Sequence, residues 1–210
     1  MTEPPDRTTK GRPSDTTHAR PEAVRPQPSG SGEARSIDAR PANPRDRLRS
    51  DVAPNAPLHV VLVEPQIPPN AGNVARLCAA TGCALHLVEP LGFSIDDREL
   101  KRAGLDYWHA LDVTVHASLE DFLKHFPAER LWLASTRGKH NYADAKFSRG
   151  DALVFGKETA GLPAALLAAH PQRTLRIPMR EDAVRSLNLS TAVGIVTYAA
   201  LAQLGFPDLH

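Results

Sequence analysis

Cysteine is scarce in this chain. Its 210 residues include two, Cys78 and Cys83, both inside one apolar segment. Two thiols make no disulfide framework, which sets aside the small cross-linked secreted scaffolds. An excess of one charge sign is also missing: 25 lysines and arginines face 24 aspartates and glutamates, for a formal net charge of +1. A polyanionic partner must therefore be met by basic residues gathered locally. No apolar run reaches the roughly 20 residues that a membrane-spanning helix needs, and no signal peptide is recognisable. These absences lead to the expectation of a soluble, reduced, cytoplasmic protein.

Aromatic residues are absent from the first 57 positions, where Val24, Ile37, Leu48 and Val52 are scattered among Pro, Gly, Ser, Thr, Asp and Arg. Such a stretch cannot bury enough apolar surface to offset backbone ordering, at roughly 1–2 kcal/mol per residue. Residues 1–57 are therefore expected to be a disordered tail and 58–210 the folded domain. Arg45, Arg47 and Arg49 have two readings, contacts to RNA phosphates or charges on a solvated tail.

From Leu58 onward, strand-like and helix-like segments alternate. Strands are expected over 58–63, 84–88, 112–116, 131–134, 153–155 and 175–177. Helices are expected over 70–81 (closed by Gly82), 96–103, from a Ser118 cap to Phe126, 162–169 and 189–204. Alternation of this kind implies an α/β fold with a largely parallel sheet flanked by helices.

The usual dinucleotide signature is also missing. The first strand runs into Glu64-Pro-Gln-Ile-Pro-Pro-Asn-Ala-Gly72, where three prolines stiffen the loop and the glycine spacing is wrong for G-x-G-x-x-G. No Walker lysine follows a Gly-rich loop. A nucleotide-binding Rossmann protein is thus disfavoured.

Three segments carry chemistry. In Pro68-Pro-Asn-Ala-Gly-Asn-Val-Ala-Arg76, Asn70 can cap the following helix, and Arg76 projects from its second turn. Spacing alone equally allows a plain cap and a surface charge. In Phe155-Gly-Lys-Glu-Thr-Ala-Gly-Leu-Pro163, Gly156 would admit a ligand close to the backbone, and Glu158 falls where sites of parallel sheets collect. A ligand-free strand-to-helix turn fits the same residues. In Ile177-Pro-Met-Arg-Glu-Asp-Ala-Val-Arg-Ser-Leu-Asn-Leu-Ser190, a polar loop leads to Ser186, Asn188 and Ser190 and then an apolar helix. It can bind a polar ligand through helix-start amides or be only a capped helix.

Together these segments resemble the three motifs of the SPOUT methyltransferases of the SpoU branch. The likeness is closest to the small TrmL (YibK-like) group, which methylates the wobble ribose of certain leucine tRNAs. It rests on Glu64-Pro-Gln-Ile-Pro-Pro-Asn, Arg76-Leu-Cys-Ala, Arg102-Ala-Gly-Leu-Asp-Tyr107 and Ser186-Leu-Asn-Leu-Ser-Thr-Ala-Val193, and spans Leu58 to about Pro207. Two features depart from the group: the N-terminal tail, and Tyr198-Ala-Ala where Tyr-Glu is common.

The resemblance implies a deep C-terminal trefoil knot, which nothing in composition or periodicity shows. It implies S-adenosylmethionine as cofactor, held by Ala134 to Thr136, Gly156, Glu158, Ile177, Ser186, Leu187 and Asn188. It implies catalysis by Arg76 with Asn70 and Ser190, Asn73 framing the same space, and no metal. The implied partners are leucine tRNA and a second copy of the chain. The closing helix, with Ala192, Val193, Ile195, Val196 and Ala199, offers a dimer surface, though ordinary core packing explains it too. Arg98, Lys101 and Arg102, and then Arg137, Lys139, His140, Lys146 and Arg149, form two basic stretches that suit RNA or a solvated face. Two readings compete with wobble-ribose methylation: 2′-O-methylation elsewhere in tRNA or rRNA, and a non-catalytic RNA-binding member of the fold. Cys78, Cys83, Trp108 and Trp132 are expected to be packing residues, although Tyr107-Trp108 could stack on a base. The nine histidines look dispersed.

Overall fold

The computed structural model describes residues 53–94, 111–180 and 182–210. Four expectations lie outside the described residues: the tail up to residue 52, the helix over 96–103 with its basic stretch, the 102–107 string, and the Tyr107-Trp108 pair. The described chain begins at Ala53, upstream of the boundary expected at 57. Ala53 and Ala56 are buried against Ala84, and Arg149 Nη2 donates to the Asn55 carbonyl at 2.8 Å.

Strand β1 (Leu58–Val63) is buried along its whole length. Because side chains alternate along a strand, Leu58, Val60 and Leu62 enter one core while Val61 and Val63 enter another. Burial on both faces marks an inner strand of a parallel sheet. After it come α1 (Pro68–Thr81), β2 (Ala84–Val88), β3 (Val113–His116), α2 (Leu119–Leu123), β4 (Leu131–Ala134), β5 (His140–Asn141), β6 (Asp151–Phe155), α3 (Ala164–Ala169), β7 (Thr174–Arg176) and α4 (Leu189–Gln203). The strands form one sheet in the order β3-β2-β1-β6-β4-β7-β5. Every pairing is parallel. The expected α/β architecture is therefore present.

Helices α1 and α4 cover one face, where Val74, Ala75 and Cys78 meet Val193, Val196, Ala200 and Leu201. The second face is closed by Phe122 of α2, Phe126 just beyond it, and Leu162 and Leu166 around α3. Burying a side chain of this size contributes roughly 1.5–3 kcal/mol, so the two cores hold the sheet from both sides. Several ends differ from expectation. Helix α2 stops at Leu123, and α3 begins at Ala164 because Pro163 keeps an extended ψ of 135°. Strand β5, two residues long, is too short to show any period.

The β4–β5–β7 corner shapes the site. Strand β7 lies between β4 and β5, although those two are consecutive in the chain. The loop joining them crosses the end of β7, with Ser135 N donating to the Leu175 carbonyl at 2.9 Å. A Cβ on Gly138 would come within 2.5–2.9 Å of the Leu175 and Arg176 backbone. Only glycine permits this crossing.

Four of the described histidines are not dispersed. His59, His86 and His116, one from each of β1, β2 and β3, form a buried row. His59 Nδ1 lies 3.0 Å from His86 Nε2, and His86 Nδ1 lies 3.0 Å from His116 Nε2. Phe122 and Phe126 pack their rings on the row, and the His125 ring lies tilted beside His116. Parallel strands brought them together across 27 and 30 residues, which local spacing could not reveal. Burial, aided by the Arg130 charge, lowers the His59 pKa to about 4. Burial also pushes His86 well down and His116 down.

A group whose folded pKa lies below its unfolded value binds fewer protons when folded. The fold therefore loses stability as pH falls from about 6.5 towards 4. By linkage, His59 alone is expected to remove about 2 kcal/mol between pH 8 and pH 5. Urea unfolding at the two pH values measures this. Equal midpoints would show that the row is protonated within the fold.

Candidate functional site

Helix α1 opens with Pro68 at its first position, where the missing N–H costs nothing. Gly82, at φ 67°, closes it in the left-handed conformation. Asn70 was expected to cap this helix, but it lies inside the first turn, and the preceding Ile67 supplies no side-chain cap. The anchor comes from the β6–α3 loop. Glu158 accepts from Gln66 N at 2.9 Å, Ile67 N at 3.2 Å and Asn70 Nδ2 at 2.9 Å. An anionic carboxylate suits a helix start. Asn70 then accepts from Asn188 Nδ2 at 2.9 Å. Asn188 caps α4, receiving Ser190 N at 2.9 Å and Thr191 N at 3.3 Å. One hydrogen-bonded chain thus joins all three segments singled out in the sequence.

Two further contacts tie the loop after β1 to the loop after β6. Lys157 Nζ pairs with Glu64 at 2.6 Å, and Thr159 Oγ1 donates to Gln66 at 2.8 Å. Partial burial pushes the Glu158 carboxyl up, but the hydrogen bonds from Asn70, Gln66 and Ile67 outweigh it and hold the group below its ordinary value. Glu158→Gln puts an amide against backbone donors. Losing such bonds costs about 1–2 kcal/mol. The melting temperature should fall and ligand affinity in the adjoining cleft should drop several-fold, as thermal melts and calorimetry would record. An unchanged melting temperature would remove Glu158 from the anchoring role.

The cleft lies at the carboxyl ends of β4, β6 and β7 and encloses about 520 Å³. That volume suits a small ligand. Its wall includes ten of the thirteen residues expected from the sequence: Asn70, Ala134, Ser135, Thr136, Gly156, Glu158, Ile177, Ser186, Leu187 and Asn188. Phe155 and Leu175 add apolar surface. Asn73, Arg76 and Ser190 do not line it. Arg76 is exposed on α1, and Ser190 Oγ donates to Asn188 Oδ1 at 2.8 Å. Arg137, Lys157 and Arg185 bring positive charge to the lining. Lys157 and Arg185 were not singled out, although both sit within the quoted segments. Arg137 was flagged only as part of a basic stretch. Of that stretch, Arg149 is engaged with Asn55.

Gly156 lines the cleft, and the chain itself also requires glycine there. An added Cβ would meet the carbonyl carbon of Gly161 at 2.1 Å and Leu162 N at 2.2 Å. The close approach is by the chain itself, as the 156–162 loop folds back. Trp132 behaves as the packing residue expected, giving its indole N–H to buried Asp151 at 2.9 Å under the Arg173 guanidinium. Both cysteines are buried and free.

The parallel sheet, with β7 set between two consecutive strands, thus builds its cleft from loops far apart in the chain. The chain belongs to the SpoU rRNA Methylase family, whose model matches residues 57–198. It is 50% identical over 149 residues to the tRNA (cytidine(34)-2'-O)-methyltransferase of Saccharophagus degradans, covering 70% of this chain and 96% of that protein. It is 49% identical over 151 residues to the protein of that name from Escherichia coli K12, covering 71% and 96%. A solved structure described as giving insights into the 2-OH methylation of C/U34 on tRNA superposes with a TM-score of 0.67, at 50% identity over 70% of this chain and 96% of that one. The SpoU methyltransferase AviRb of Streptomyces viridochromogenes, solved with the cofactor AdoMet, superposes with a TM-score of 0.64 at 26% identity, covering 78% and 63%.

Proposed function

We propose that this chain is an S-adenosylmethionine-dependent tRNA methyltransferase acting on the ribose 2′-hydroxyl of cytidine or uridine 34, with leucine tRNAs as substrates. The observation that carries this reading is the near-50% identity to tRNA (cytidine(34)-2'-O)-methyltransferases over 96% of their length. The cleft fits the cofactor chemically. Phe155, Leu175 and Ile177 provide apolar surface for an adenine, while the loops around Ser135, Gly156 and Ser186 offer backbone polar groups. When bound, the cofactor supplies a methyl group already activated on a sulfonium, so the transfer needs no metal.

The chain's own residues do the rest. Arg137 and Arg185 at the lining suit RNA phosphates. Arg76 is assigned to orienting the ribose phosphate and stabilising negative charge on the attacking oxygen. A guanidinium offers no acceptor lone pair, so it is a poor general base. Asn70 and Asn188 hold the first and third segments in register. Ser190 supports that register by donating to Asn188.

The same reading includes a trefoil knot, a homodimer and a cytoplasmic location. The insertion of β7 between β4 and β5 supports the knot. Tyr198 on α4 and Phe206 beyond it are 48% and 41% exposed, and Ile195 and Ala199 are half-buried, which supports a second copy on α4. Sedimentation as a monomer at micromolar concentration would remove the dimer. Among the described residues no helix is long and apolar enough to cross a membrane. The tail up to residue 52 is assigned no part in methyl transfer, since about 150 residues of this chain cover 96% of the relatives.

Mapping ribose methylation in tRNA from cells lacking the protein tests the assignment. Loss of the 2′-O-methyl at position 34 of leucine tRNAs is expected, with return on re-expression. Loss at another tRNA position, or in rRNA, would overturn it.

A further inference from the structure

The histidine row ends at a second cluster, distinct from the cleft. Strand β3 is outermost on its side of the described sheet. His116, its last residue, is 2% exposed. Asp121 on α2 and His125 just after it stand four apart, the spacing that puts two side chains on one side of a helical turn. His125 N donates to the Phe122 carbonyl at 3.0 Å, which continues that turn. One ligand-capable atom from each of His116, Asp121 and His125 falls within 4.8 Å of the others.

The geometry points to a cation rather than to direct bonds. His116 Nδ1 lies 3.9 Å from Asp121 Oδ2, too far for a hydrogen bond. Two ligands at about 2.0–2.2 Å from a shared zinc ion sit closer than this, so side-chain rotation has to draw the three atoms together from within 4.8 Å. Lys124 Nζ approaches Asp121 Oδ1 at 3.3 Å, whereas Oδ2 is the oxygen nearer His116 Nδ1. The other ring nitrogen of His116, Nε2, is engaged by His86 at 3.0 Å, and His86 in turn by His59. Metal-bound histidines have this outer support, which fixes the tautomer and the ring plane. Phe122 holds the His116 ring edge-on at 5.3 Å between centroids.

We propose that His116, Asp121 and His125 bind a divalent first-row transition-metal cation, with zinc the best match, which clamps α2 to the outer strand β3. Two imidazoles and one carboxylate suit zinc, water completing the four-coordinate shell. The site is structural and independent of methyl transfer, since none of the three residues lines the cleft.

The test uses the full chain without an affinity tag, titrated with Zn²⁺ by calorimetry and with Co²⁺ by visible absorption. Wild type is expected to bind with saturation, to give the absorption of a nitrogen- and oxygen-ligated cobalt, and to melt higher with Zn²⁺ present. His125→Ala and Asp121→Asn alter side chains that are at least partly exposed, so both should fold. Each should weaken Zn²⁺ binding at least about tenfold, since even outer-shell changes cost 10–100-fold, and should lose the zinc-dependent rise in melting temperature. Wild type without saturable Zn²⁺ binding would overturn the proposal. Zn²⁺ binding by His125→Ala at wild-type affinity would overturn it equally.

Discussion

Replacing Arg76 with alanine is expected to slow methyl transfer to a leucine tRNA by about 10²–10³, the usual cost of losing a preorganised charge-stabilising donor. Affinity for S-adenosylmethionine should stay near wild type. The structure supports that separation: Arg76 is exposed on α1, while the cleft wall comes from the first turn of that helix and from the late loops. A residue outside the cleft wall can act on the substrate without touching what the cleft holds. Arg76→Lys should recover only part of the rate, because an ammonium cannot reproduce the planar fork of a guanidinium on a phosphate. Single-turnover methylation, run beside cofactor calorimetry on the same protein, separates the two effects. Wild-type turnover by Arg76→Ala would make the arginine a surface charge. A parallel loss of cofactor affinity would place it in the binding machinery instead.

The sequence made the fold class legible because the inner strands are continuous apolar runs and the helices carry strong punctuation. Gly82 ends α1, Ser118 caps α2 through Asp121 N, and Asn188 caps α4. Most cleft residues were legible only as motif strings, not as geometry. Glu158 shows why. Its position suggested a ligand contact, yet its bonds go to Gln66, Ile67 and Asn70, some 90 residues earlier in the chain. Asn70 was misread for the same reason: local spacing suggests a cap, whereas its partners come from other segments. The histidine row is the extreme case. His59, His86 and His116 sit on three different strands, and only the parallel register aligns them. Long-range pairing of polar groups leaves no periodic trace in one sequence, so these contacts had to come from the structure.

Gly156 gives the sharpest test of the cleft, and it begins from a change of mechanism. The sequence suggested that Gly156 admits a ligand close to the backbone. The structure places the obstruction within the chain, because a single Cβ would stand 2.1–2.5 Å from the Gly161 and Leu162 backbone. Backbone cannot rotate away as a flexible side chain can, so the 156–162 loop must move. That loop is held at both ends. Gly161 N donates to the Lys157 carbonyl at 2.8 Å, and Leu162 is buried in the second core. It also carries Glu158, so a shift loosens the start of α1 and the Asn70–Asn188 contact together. Overpacking of this kind costs about 1–3 kcal/mol, which corresponds to roughly a 5–150-fold change in binding if the strain is relieved by opening the cleft. Gly156→Ala is therefore expected to lose S-adenosylmethionine affinity by that factor, with a lower melting temperature. Gly161→Ala is the control, since its Cβ would meet nothing within 4 Å. It suffers only the strain of a positive φ, about 1–2 kcal/mol, and should bind more tightly than Gly156→Ala. Calorimetry on the two variants decides the matter. Wild-type cofactor affinity in Gly156→Ala would mean that the loop yields without disturbing the cleft and that the cofactor does not depend on this wall.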